Sequence, residues 1–165
     1  MIAAAAAMLA VAQSSTVRRD DELPPATEVA ILAGARACIG ATVDPAGQDA
    51  RLAGWPSVVG NDPDTSADGV ARRVARKDGV LLTVKTGIDG GCVVQARGDV
   101  TFDKGVFLAD LGRQASVAID GAKPRVDLPN GEFMIVQIGG EAGKMFVQLV
   151  VANPKGKHAH VQQGN

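Results

Sequence analysis

Tyrosine is missing from this chain, and aromatic residues of any kind make up only 3% of it. Sites that stack bases need aromatic platforms, so single-stranded nucleic-acid binding is disfavoured. Charge points the same way. The formal net charge is -1, which gives no electrostatic case for a polyanionic partner or an anionic membrane surface. Histidine is nearly absent, with only His158 and His160, both close to the carboxyl end. A Ser-His-Asp or Cys-His centre would have to recruit that tail. There is no Walker loop, no G-x-G-x-x-G and no H-E-x-x-H. No catalytic residue, cofactor or metal site is therefore assigned from the sequence, and enzymatic activity is left open because carboxylates are scattered throughout. Cysteine is scarce too, with one at Cys38 and one at Cys92.

What is present is apolar: 46% of the 165 residues are hydrophobic, enough for one domain with a proper core and too few residues for two. The apolar run from Ile2 to Ala12 is shorter than the roughly 20 residues a membrane-spanning helix needs. It fits the core of a signal peptide, with Ala10-Val11-Ala12 as the cleavage site, although no Lys or Arg precedes it. The expected organisation is a signal peptide over residues 1–12, a disordered tether over 13–25, one α+β domain over 26–152 and a flexible tail over 153–165. The expected location is periplasmic or secreted, with no stable membrane span once the signal is removed.

Helical periodicity starts near Ala26. Ile31, Leu32, Ala35, Cys38, Ile39 and Thr42 share one side, and Asp44-Pro45 is the expected stop. Residues 46–58 read as a short second helix and a turn, with Trp55 as a core plug. Beyond the loop 60–69 the period becomes two. Val80, Leu82 and Val84 form one apolar face, and Cys92, Val94 and Ala96 form another after the "GIDGG" turn. Residues 101–114 read as a helix with Thr101 as N-cap and Asp103 in the first turn. Residues 116–120 suggest a short strand, and 120–132 a loop. A hairpin closes the domain, "FMIVQI" followed by "MFVQLVV". The expected order is α-β-β-α-β-β, an antiparallel sheet of four to five strands with helices on one face. The order of elements is roughly twofold, without a convincing sequence repeat.

Cys38 is expected on the buried side of a helix and Cys92 on the buried side of a strand, so the two can meet. In an exported chain with two cysteines a disulfide is the default reading; two buried free thiols or a reactive pair are the alternatives. A bond closing a loop of this length is worth up to about 4 kcal/mol by the chain-entropy argument.

Other motifs read as structure. Asp62, Asp64, Ser66 and Asp68 alternate like the start of a calcium loop, but Ala67 and Arg73 stand where Gly and Glu are required. Arg72, Arg73, Arg76 and Lys77 form the main basic cluster, read as a solvated face preceding a strand. Arg97-Gly98-Asp99 reads as a strand end leading into a helix.

Cys38 on an amino-terminal helix, then "AGW" at 53–55, then "GGCVVQARGD" leading into a helix, resembles a group of small exported proteobacterial proteins of unassigned function. The resemblance spans roughly residues 26–115. It implies an envelope location and a shared disulfide, and it carries no functional residue across.

Two functional readings follow. The first is a non-enzymatic protein-binding module whose partner is an unknown envelope protein or a second copy. Its motive is the last hairpin, where Phe133, Ile135, Phe146 and Val150 lie opposite the face carrying Met134, Val136, Met145 and Val147. An antiparallel sheet covered on one side by helices should be polar on the other. The second is a small-ligand-binding domain, or a hydrolase with a carboxylate base, which would need a cleft holding desolvated acids.

Overall fold

The computed structural model describes residues 23–58, 73–141 and 143–156. The first helix, α1 (Glu28–Cys38), is capped by Thr27, whose hydroxyl accepts from the Ala30 N–H at 3.3 Å, and carries Glu28 in its first turn. It stops earlier than Asp44-Pro45. Ile39 leaves the helical region at ψ 126°, and Gly40, at φ +96°, completes the turn in a conformation open to glycine. Asp44-Pro45 instead opens a 3-10 turn, Pro45–Gly47, that runs into the single-turn α2 (Gln48–Arg51). The third helix, α3 (Lys104–Ala115), is capped by Asp103, whose carboxylate accepts from Val106 N–H at 2.9 Å. The expected cap, Thr101, is held in the preceding turn, donating its N–H and hydroxyl to Asp99 at 2.8 and 2.7 Å.

The sheet has seven strands among the described residues, more than the four to five expected. They are β1 (Pro25–Ala26), β2 (Arg73–Lys77), β3 (Val80–Lys85), β4 (Gly91–Gly98), β5 (Arg125–Asp127), β6 (Phe133–Gly139) and β7 (Phe146–Ala152). Their spatial order is β2-β3-β4-β7-β6-β5, all antiparallel, with β1 pairing parallel to the end of β4. The class is α+β as read from the sequence, but each helix is followed by three strands. Three strands escape period-two reading for different reasons. β1 is only two residues long, and the chain is built into the fold already at Leu23, which is 1% exposed. β2 is the outermost strand, its outer side bonded by residues 56–58 (Val58 N–H to the Val74 carbonyl at 3.0 Å, Arg76 N–H to the Pro56 carbonyl at 3.1 Å), and it is the basic cluster expected to be a solvated face. β5 is three residues inside the expected loop. Residues 116–120, by contrast, form no strand; Ser116 ends α3 at φ 57°.

The sheet is two three-stranded meanders, β2-β3-β4 and β5-β6-β7, joined at the centre by antiparallel pairing of their last strands from Gly91↔Ala152 to Arg97↔Phe146. Each meander is preceded by its helix, and α1 and α3 share one face of the sheet. The core there is built from Ile31, Ala35 and Cys38 of α1, Phe107 and Leu111 of α3, and the inward residues of β3, β4, β6 and β7. Trp55 belongs to the same core, as expected. Phe102 and Phe107 pack with ring centroids 5.3 Å apart and planes tilted by 44°.

Candidate functional site

Register places the residues of the opposite face, which carries no helix among the described residues, in rows that cross the sheet. One row runs Val74, Thr83, Val93, Val150, Ile135 and Arg125 from edge to edge. The next runs Leu81, Gln95, Gln148 and Gln137, and beyond it Arg97 stands opposite Phe146. The alternation in the last hairpin thus extends to the neighbouring strands. Three of the four candidate interface residues, Ile135, Phe146 and Val150, are half-buried. The fourth, Phe133, is 5% exposed, with the Arg125 guanidinium 4.2 Å above its ring. Arg125 is in turn paired with Asp127 at 3.2 Å. Leu81 is buried on this face at the β3 end. The glutamine row separates the Val93–Val150–Ile135 row from Phe146.

Cys38 and Cys92 form a disulfide with Cα atoms 5.2 Å apart. It ties the last turn of α1 to the core side of β4, and both residues are fully buried. The bond is structural, since neither sulfur meets solvent or a titratable partner.

A residue that sequence reasoning placed in a loop, Glu132, is the most deeply buried carboxylate described, at 1% exposure. One oxygen accepts from Gly40 N–H and the Asn130 side-chain amide, each at 2.7 Å. The other accepts from Thr42 N–H at 2.9 Å and the Thr42 hydroxyl at 2.7 Å. Four donors occupy the directions in which two carboxylate oxygens accept, so the group fastens the chain after α1 to the start of β6 and has no free lone pair for a substrate. Nearby, Arg51 donates to the Asp44 carboxylate at 2.7 Å and to the Gly40 carbonyl at 3.1 Å. The Arg51 bond, with a further one from Gly47 N–H, holds the Asp44 carboxyl below its ordinary range. Thr101 does the same to Asp99, so the Asp of Arg97-Gly98-Asp99 serves a turn. Glu28 is pushed up, chiefly by desolvation and then by Asp110 and Asp103.

The basic cluster is spread along an edge. Arg73 reaches Asp49 at 3.4 Å, and the Lys77 ammonium lies 6.0 Å from the Trp55 ring centre. Arg72, the acidic loop of Asp62, Asp64, Ser66 and Asp68, the histidines at 158 and 160, and the expected signal segment lie outside the described residues. Among the described residues no three His, Cys, Asp or Glu side chains come together as metal ligands would. No described helix is long and apolar enough to cross a membrane.

The fold and this face define a disulfide-clasped α+β domain made of two helix-plus-meander halves with one sheet face away from its helices. Comparison with protein-family models, curated proteins and solved structures finds no match to this chain.

Proposed function

We propose that the chain is an exported, non-enzymatic protein-binding module, akin to the small proteobacterial envelope proteins it resembles, and that the helix-free face of its sheet is the docking surface. One observation carries this reading. Val93, Val150 and Ile135 form a contiguous, half-exposed apolar row across the three central strands, with Phe146 beyond the glutamine row. An outer sheet face of this kind marks an interface more often than a solvated surface. The buried disulfide supports an oxidising compartment, because such bonds persist in the periplasm or outside the cell and are rare in the cytosol.

Ile135→Lys and Phe146→Lys test the proposal. Both variants should retain the circular dichroism of the parent. Size-exclusion chromatography with light scattering, and cross-linking in the native envelope, should show that they lose self-association or the cross-linked partner. A parent that is monomeric and forms no cross-link through this face, or variants that associate as the parent does, would exclude it.

A further inference from the structure

The edge of β6 is paired along only part of its length. Residues 133–135 face β5, and the Val136 N–H reaches the Pro124 carbonyl at 2.7 Å. Val136 therefore points its backbone groups away from β7, and by the alternation of an antiparallel ladder Ile138 does the same. The other side of the sheet agrees. Gly98 N–H bonds the Met145 carbonyl at 2.8 Å, so Val147 directs its backbone groups to β4 and leaves its partner Ile138 facing outward. Opposite Val136 stands Pro124, which has no N–H to return. The ladder ends there. Among the described residues the outward N–H and C=O of Ile138 have no strand beside them.

This open edge forms one side of a groove of about 440 Å³. Leu108 of α3 and Ile119 of the following loop also line it, and Lys104 and Lys123 reach into it. Neither lysine has a hydrogen bond or ion pair from its ammonium group among the described residues. The one acid in the lining, Asp120, accepts from Ala122 N–H at 2.9 Å within its own turn.

We propose that an extended, acidic segment of a partner protein adds to β6 as a further strand at residues 137–139, beyond the Pro124 contact. The main-chain groups of Ile138 supply ladder hydrogen bonds, the apolar wall takes alternate side chains, and Lys104 and Lys123 select for acidic residues at the rim. A second copy pairing through the same edge would bring its own lysines against these two, so like-charge repulsion disfavours self-addition. The groove shares Phe146 and Gln137 with the sheet face proposed above, whereas Val93, Val150 and Ile135 lie outside it, so Val93→Lys and Ile135→Lys separate the two proposals.

A library of short random peptides selected against the intact oxidised chain tests this. Enriched sequences should carry net negative charge and no proline at alternate positions. Their affinity should fall about tenfold in the Lys104→Glu, Lys123→Glu double variant, the scale expected for two exposed charge contacts reversed. It should also fall in Ile138→Pro, which removes the outward donor from an edge position where proline is tolerated. If Ile138→Pro does not fold, replacing alternate peptide amides by N-methyl groups removes the same ladder from the ligand side and should abolish binding. Val93→Lys, on the separate face, should leave this binding intact. Selection of neutral or basic sequences, no enrichment, or acidic binders indifferent to both charge reversal and N-methylation would overturn the proposal.

Discussion

Glu132 joins stretches of chain 90 and 92 residues apart through hydrogen bonds to Thr42 and Gly40. Glu132→Gln keeps the volume, but one end becomes an NH2 group. In either amide orientation a buried backbone N–H, of Gly40 or of Thr42, then faces a donor. The expected cost is about 2 kcal/mol in chemical denaturation, the scale for leaving such a group unpaired. Asp44 offers a pH-dependent test. Its pKa in the folded protein lies below the ordinary 3.8, so its contribution to stability is present above that value and is lost as pH falls through the lower, folded value. Asp44→Asn preserves a cap for Gly47 and removes the charge beside Arg51. The variant should melt below the parent at neutral pH, and the two melting curves should converge at the acid end of a thermal titration. Neither contact was legible in the sequence. Glu132 sits in a polar turn, and nothing local to "PNGE" points to partners on the far side of the chain.

At the level of elements, α1 seats on the sheet through a glycine. A Cβ at Gly34 would lie 3.0 Å from Val80 Cγ1, 3.0 Å from Val94 Cγ1 and 3.4 Å from Leu82 Cδ2. Both valines are buried and branched at Cβ, so they have little freedom to rotate away. Gly34→Ala would gain helix propensity of about 1 kcal/mol but must lift the helix or strain the sheet at about 1–3 kcal/mol, so a net loss of about 1 kcal/mol is expected by thermal or denaturant unfolding. The helices themselves were readable because apolar spacing over eleven or twelve residues is a long signal. Their ends moved by a few residues because caps decided them: the Ile39-Gly40 turn stopped α1 and Asp103 displaced Thr101. β3, β4, β6 and β7 alternate clearly. β2, with three basic residues in five, and β5, of mixed charge, are short outer strands, and their strand character comes from the neighbours they pair with.

For the whole molecule, the rough twofold order seen in the sequence becomes two meanders meeting at β4 and β7, although each half gains a strand. The second apolar face was legible from alternation in the last hairpin alone. Its extension through Val93 and the glutamine row was not, because it depends on register between strands distant in sequence. The halves are also unequal in their covalent chemistry. Cys38 and Cys92 both belong to the first, so the bond closes α1 onto β4 without involving α3 or any later strand. Two cysteines allow a single intramolecular pairing, and closure requires no reshuffling of wrong bonds. A chain emerging amino end first can thus lock its leading half before β7 has appeared. The trailing half then meets a strand already anchored to its helix, and the entropic cost of the most distant antiparallel pairing in the sheet falls on a partly ordered template.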